Sequence, residues 1–512
     1  MAERIQTNPA DWSALIPVLP EGGPRQAALR AEIRRLIETG ALPAGAKLPT
    51  TRDLAARLGL SRGAAVAAYE TLQADGYVEA RTGAGTFVAA RVPRLPTAGA
   101  SAPSGGDADP GAAARADATA LRDVSPPLPG AVGVAQSDPR TLATFRALLS
   151  RHLALAAPAH FVYGDPRGGR ELREAAADYL RAARGLRCAP ERIVITSGSQ
   201  QALDLVARGA LSPGDRAWIE DPCYPMARAA MAGAGLTLVP VPVDAEGLVP
   251  AAGEAAAPDA RAAYVTPSHQ FPLGVAMTMP RRLALLDWAR RAGAWVIEDD
   301  YDSEFRYAGP PLTALQGMDG AGRTIYAGTF SKALFPGLRV GYLALPEPLL
   351  DPVLRLRART DRHPATLAEG ALAEFLRDGH FAAHLRRARR RARAARDALV
   401  AALRAGGVMA EAPDQGLHLI APLPEAVTEA EAIALARAAG FGARALAVLH
   451  HAAVAPRRHG LVVGFSGFPP ETLTAAATRW TAALREAVAA RRTGSSDPAA
   501  LPVTGAGERP AT

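Results

Sequence analysis

The chain has 512 residues, a formal net charge of +8, 49% hydrophobic and 21% charged side chains, and two cysteines. That balance belongs to a globular protein of two or three domains, and it excludes a disordered chain, a collagen-like repeat and a disulfide framework; Cys188 and Cys223 also lack the paired Cys/His spacing of a metal site. The opening residues, MAERIQTNPADWSALIP, have neither a basic n-region nor a long apolar h-region, and no apolar run reaches bilayer length, so a cytoplasmic chain with no membrane partner is expected.

Composition divides the chain into blocks. Residues 1–90 carry short amphipathic segments, whereas 91–135 are rich in Ala, Pro, Gly and Ser and too poor in large apolar side chains to offset their ordering entropy. Residues 136–490 alternate apolar runs with helical stretches, and 491–512 are again Gly/Ser/Pro-rich. The expected order is a small first domain, a flexible linker, a large α/β domain and a disordered tail.

In the first block, Leu29, Ile33, Leu36 and Ile37 recur on one helical face, which Gly40 stops. Thr50 is placed to cap a short helix containing Leu54, Ala55 and Leu58 and ended by Gly59. Ser61 caps a third helix with Ala65, Val66, Tyr69 and Leu72, closed by Gly76, and YVEARTGAGTFV follows as two short strands around a Gly-rich tip. Helices and hairpin in this order make a winged helix-turn-helix. The helix opening at Ser61 is expected in the major groove, with Ser61, Arg62 and Gly63 against bases and phosphates, while Lys47 and Arg52 grip backbone phosphate and Thr50 is a further DNA-contact candidate beside them.

In the large block, RIVIT, RAWIE, TLVPVPV, AAYVT, AWVIEDD, TIYAGTF and VGYLAL predict strands of a parallel, doubly wound sheet. Of the 58 basic residues only Lys47 and Lys332 are lysines. In a chain so biased toward arginine, a retained lysine marks a place where an amine that can lose its proton is needed. Lys332 lies in TFSKALFPGLRVGY, beside Thr329 and Ser331 and seven residues before Arg339. An amine flanked by hydroxyls and a guanidinium suits an aldehyde that carries a phosphate, which is the chemistry of pyridoxal 5'-phosphate. AWVIEDD delivers Glu298, Asp299 and Asp300 at a strand's carboxyl end, where a carboxylate can hold a pyridine nitrogen protonated. Ser199 and Gln200 open a helix after a glycine turn, a seat for phosphate, and Tyr224 in EDPCYP can lay its ring on the cofactor.

The run GALPAGAKLPTTRDLAARLGLSRGAAVAAYETLQADGYVEARTGAGTFV resembles a GntR-type DNA-binding domain, which implies operator contacts at Arg52, Ser61, Arg62 and the wing glycine Gly83. The stretch from YGDPRGGRELREAAADYL to VVGFSGF resembles fold-type I aminotransferases. Joined, the two resemble a MocR-type regulator. That resemblance implies a Schiff base between Lys332 and pyridoxal phosphate, Asp299 on the pyridine nitrogen and Tyr301 at the phenolic oxygen. It puts the phosphate on Ser199, Gln200, Thr329, Ser331 and Arg339, and stacks Tyr224 on the ring. It also implies a homodimer in which Tyr163 reaches the partner's pocket, and places His269 and Gln270 where aminotransferases show an asparagine near the ring.

One departure stands out. Aminotransferases clamp the substrate carboxylate with an arginine in a pattern near LRxSF, whereas this chain reads LVVGFSG, with Val462 in that place and Arg457, Arg458 and His459 out of register. The expected function is therefore a transcriptional regulator that binds double-stranded operator DNA and senses an amine, or pyridoxal phosphate itself, with at most residual transaminase activity. The alternative is an active aminotransferase with an accessory DNA-binding domain. The basic stretch from His384, HLRRARRRARAARDAL, reads as a solvated helix face.

Overall fold

The structure is a computed structural model and describes residues 25–90, 126–135, 138–155, 161–309, 311–451 and 459–494. Most of the expected linker, the tail beyond Gly494, and Arg457 and Arg458 lie outside the described residues. The chain divides into two compact units, Met1–Asp107 and Ala108–Thr512.

The first unit contains α1 (Arg25–Glu38), α2 (Thr51–Leu58), α3 (Arg62–Ala74), β1 (Val78–Arg81) and β2 (Gly85–Val88). Leu29, Ile33, Leu36 and Ile37 bury the inner face of α1. Thr50 caps α2 by accepting from the Asp53 amide at 3.2 Å, and Gly59 ends it in the left-handed region at φ 61°, where a β-carbon would be strained. Ser61 caps α3 through the Ala64 amide. Its buried face is Ala65, Ala68, Tyr69 and Leu72, the i, i+3, i+4, i+7 set, so Ala68 occupies the core position that the sequence reading gave to Val66. β1 and β2 pair antiparallel, and Lys47 joins Phe87 by a single β-bridge that extends this wing.

The second unit is built on an eight-stranded sheet. In chain order its strands are β3 (Ile193–Thr196), β4 (Arg216–Asp221), β5 (Thr237–Asp244), β6 (Gly247–Leu248), β7 (Ala262–Val265), β8 (Trp295–Asp300), β9 (Thr324–Thr329) and β10 (Gly341–Ala344). Their spatial order is β3-β10-β9-β8-β7-β4-β5-β6. The central strands run parallel, as expected, and are buried on both faces. The sheet is not wholly parallel, however: β10 is antiparallel to both β3 and β9. The eleven-residue segment 330–340 joining β9 to β10 is shorter than the usual parallel crossover of a dozen or more. A second, three-stranded antiparallel sheet, order β11-β13-β12, is made by β11 (His418–Pro422), β12 (Arg444–Ala445) and β13 (Gly460–Gly464).

Two boundaries move. Residues 126–135, read as the end of the linker, are held by the body: the Gly464 amide donates to the Gly130 carbonyl at 2.8 Å, Gly442 to Pro129 at 2.7 Å, and the Ser466 hydroxyl to Val134 at 2.6 Å. Their Pro/Gly composition looks like linker, but hydrogen bonds to their backbone carbonyls, together with the packing of Val132, fix them. The final helix, Pro470–Gly494, runs past the expected start of the tail at 491. The arginine-rich helix His380–Ala405 is only partly a solvated face. Arg387 and Arg391 both grip Asp138, Arg396 donates to the Pro413 carbonyl, and Arg386, Arg390 and Arg393 are exposed.

Candidate functional site

A cavity of about 680 Å³ opens at the carboxyl ends of β7, β8 and β9, the place where parallel sheets bind ligands. Successive side chains of β8 leave on alternate faces, so Asp299 points away from Glu298 and Asp300, and those two find different partners. Glu298 accepts from the Leu315 and Gln316 amides at 2.9 and 3.0 Å and so caps a short helix. Asp300 pairs with buried Arg184 at 2.7 Å. Only Asp299 lines the cavity. Its Oδ2 accepts from the Tyr264 hydroxyl at 2.7 Å, while its buried Oδ1 has no hydrogen-bond partner among the described residues. Burial pushes the Asp299 carboxyl up to about 6, with the Tyr264 hydrogen bond opposing.

Lys332 enters the same cavity from the turn after β9. Its amine donates to the Gly133 carbonyl at 2.9 Å, and enclosure by protein lowers its affinity for a proton, although Asp302 and Asp299 oppose that shift. Desolvation of this kind is one way in which a lysine amine is activated as a nucleophile. Gly133 has φ 84°, and a β-carbon there would lie 2.8 Å from Nζ. Among the cavity-lining residues His418 is held neutral, because burial pulls it down to about 3.

At one end of the cavity the helix Ser199–Ala210 points its amino terminus inward, with Ser199 and Gln200 in its first turn. Gly198 precedes it at φ 100°, and a β-carbon there would lie 3.2 Å from the Arg339 guanidinium. Arg339 itself adopts φ 52°, a left-handed conformation uncommon for a non-glycine residue. Thr329 donates to the Ser331 hydroxyl at 3.0 Å, and both line the wall. This end thus combines free helix amides, hydroxyls and a guanidinium, the donor set for a phosphate. Gln200 is partly committed, since its amide donates to the Met226 carbonyl at 3.2 Å.

The remaining expected residues divide. The Tyr224 ring lines the cavity, edge-on to Phe271. Tyr301 also lines it, but its hydroxyl donates to the His269 carbonyl at 3.0 Å. His269 is not on the cavity wall. It is buried behind Tyr301 with Nδ1 2.9 Å from Asp302, and the neighbouring Phe271 takes the wall position. Gln270 is likewise turned inward, donating to the Pro222 and Phe271 carbonyls. His269, Asp302 and His418 present ligand atoms within 4.8 Å of one another, but Asp302 is bonded to His269, and His418 Nε2 is 3.0 Å from the Pro272 carbonyl. Tyr163 is 75% exposed, outside the cavity, with Arg362 over its ring. The sequence reading missed Tyr264, Gly133 and Arg444, which line the cavity although nothing in the sequence beside them marks a site.

On the first unit, Arg52, Ser61, Arg62 and Gly63 are exposed around the starts of α2 and α3. Among the described residues neither Arg52 nor Arg62 has a hydrogen bond or ion pair, so each guanidinium is available to an outside anion. The Ser61 and Thr50 hydroxyls are spent as caps. Lys47 stretches along the wing with its amine over Phe87, and Gly83 turns the wing tip at φ 76°.

Residues 25–88 match the gntR family of bacterial regulatory proteins, and residues 131–468 match the class I and II aminotransferases. The chain is 37% identical over 462 residues to the probable rhizopine catabolism regulatory protein MocR of Rhizobium meliloti, covering 88% of this chain and 92% of that one. It is 35% identical over 377 residues to the pyridoxine biosynthesis transcriptional regulator PdxR of Corynebacterium glutamicum, covering 74% and 78%. Its fold is similar to a kynurenine aminotransferase of Pyrococcus horikoshii solved with PMP, at TM-score 0.65 and 27% identity over 73% of this chain and 94% of that one. Fold and site together define a GntR-type winged-helix unit joined to a fold-type I aminotransferase body. The chain belongs to the MocR family of helix-turn-helix transcriptional regulators. No helix among the described residues is long and apolar enough to cross a membrane.

Proposed function

We propose that the aminotransferase-like body holds pyridoxal 5'-phosphate at Lys332 and senses a primary amine, or the cofactor itself, and that this occupancy sets how a homodimer binds operator DNA. The observation that carries the reading is the facing pair in one cavity, a desolvated lysine amine and a buried carboxylate with an unused oxygen. The residues present fit the cofactor. Asp299 Oδ1 would hold the pyridine nitrogen, the Ser199 helix end with Thr329, Ser331 and Arg339 would hold the phosphate, and Tyr224 would cover the ring.

Bound there, the cofactor supplies an aldehyde reactive toward primary amines. The protein's part is to lower the proton affinity of Lys332 by enclosing it, to aim it with the Gly133 carbonyl, and to hold Asp299 as the only carboxylate on the wall among the described residues. Tyr301 is fixed by His269, which is fixed in turn by Asp302. An effector that prefers one conformation of this body shifts the population of DNA-binding states by no more than its difference in affinity for them.

The Gly133 contact makes a prediction. Gly133→Ala forces a methyl group against the Lys332 amine at a left-handed backbone position, so cofactor uptake should weaken by about tenfold or more, since 1.4 kcal/mol of strain is already a factor of ten. Fluorescence titration with pyridoxal phosphate reads this, with the melting temperature as a control; uptake equal to wild type would show that the contact does not position the amine.

Val462 favours sensing over turnover. It is fully buried on β13, so the position expected to clamp a carboxylate is filled by an apolar side chain. A multiple-turnover assay with common amino-acid donors and keto-acid acceptors should give little or no cycling. Rates of about 1 s⁻¹ or faster, in the ordinary enzyme range, would instead favour an aminotransferase with an accessory DNA-binding unit.

A further inference from the structure

We propose that Arg444 receives the carboxylate of an amino-acid effector, moving the acid-binding position from β13, where Val462 stands, to the adjoining edge strand β12. The inference rests on the cofactor reading above and adds the class of effector: a primary amine that also carries a carboxylate.

Arg444 and Val462 are direct partners in the antiparallel register of β12 and β13. Side chains of such partners leave the same face of the sheet, with backbones roughly 5 Å apart. Val462 packs with Phe271 and Leu449 and against Tyr224 and Tyr301, all four of which line the cavity, so this face is the cavity's wall. Arg444 lines that wall too. Among the described residues no hydrogen bond or ion pair engages its guanidinium.

The cavity's other charged groups already have tasks. Arg339 stands against Gly198 at the phosphate end, Lys332 is the reactive amine, and His418 is kept neutral and donates no charge. Asp299 is the only acid on the wall among the described residues, and its fit is to a ring nitrogen. Arg444 is therefore a second guanidinium on the wall, without an anion among the described residues, and its charge acts on both Lys332 and Tyr224, which places it near any amine that approaches the lysine. A guanidinium that meets a carboxylate in such a site makes charge-assisted hydrogen bonds, enough to change affinity about tenfold or more.

The test uses the full chain loaded with pyridoxal phosphate and follows its absorbance on titration with glycine, β-alanine and 5-aminopentanoate, each against propylamine. Uptake of pyridoxal phosphate is measured separately by fluorescence. At least one of the amino acids should bind wild type about tenfold or more tightly than propylamine. Arg444→Gln should erase that preference, Arg444→Lys should keep part of it, and neither should alter cofactor uptake. If Arg444→Gln does not fold, an unchanged preference in Arg444→Lys counts against the proposal and a partial loss supports it. A loaded wild type with no preference for any of the acids, a preference that survives in Arg444→Gln, or a selective loss of cofactor uptake in Arg444→Gln overturns it. Failure of wild type to take up the cofactor at all overturns the cofactor reading, a distinct result.

Discussion

Lys332→Ala should abolish covalent fixation of pyridoxal phosphate by borohydride, while the chain remains folded. The chain contains one other lysine, Lys47, and it lies on the wing of the first unit with its amine over Phe87, so mass spectrometry separates the two sites cleanly. The expected difference is close to all or none, because an amine is the nucleophile and alanine has none. Reversible affinity should persist at a reduced level, since the hydroxyls, helix amides and Arg339 of the phosphate end are untouched. A reduced adduct recovered on Lys47, or undiminished labelling of Lys332→Ala, would remove Lys332 from its assigned role.

Arg62→Ala and Arg52→Ala should each weaken binding to a duplex selected by the full chain from a random pool, by about 1–3 kcal/mol where the arginine meets a base or a well-oriented phosphate. Both guanidiniums are exposed at helix starts, so their removal takes little from the core of the first unit. Salt titration separates the two kinds of contact: loss of a phosphate contact lowers the salt slope by about one and weakens all sequences alike, whereas loss of a base contact relaxes specificity at one position. Gly63 has no side chain to read a base, which leaves more of the discrimination to Arg62. Unchanged affinity in both variants would mean that another surface reads the operator.

The first unit was legible because its signals are local. Thr50, Gly59 and Ser61 mark helix ends by chemistry that acts within a few residues, and the hydrophobic face of α1 repeats at helical spacing. The strands of the second unit were legible for the same reason, as short apolar runs. The direction of β10 was not, because apolar content carries no direction; the clue lay in the shortness of segment 330–340. In the pocket, Lys332 stood out through the scarcity of lysine and Asp299 through its place at a strand end. Which of Glu298, Asp299 and Asp300 faces the ligand is set by the alternation of β8 against its neighbours, and Tyr264 on β7 settles it. His269 was misjudged by two positions: Phe271 faces the cavity and His269 the interior. Gly133 and Arg444 were beyond reach, since each meets Lys332 or its surroundings across a long interval of sequence.

The central claim is that occupancy of the pocket controls the reading of DNA, and the most direct measurement is a footprint and affinity titration of the full chain on its selected duplex, with and without pyridoxal phosphate. The account predicts that saturating cofactor changes the affinity or the protected pattern for wild type and leaves Lys332→Ala markedly less responsive, while Arg62→Ala binds weakly in both conditions. Identical affinity and footprint with and without cofactor, in a chain shown by borohydride fixation to carry it on Lys332, would contradict the account.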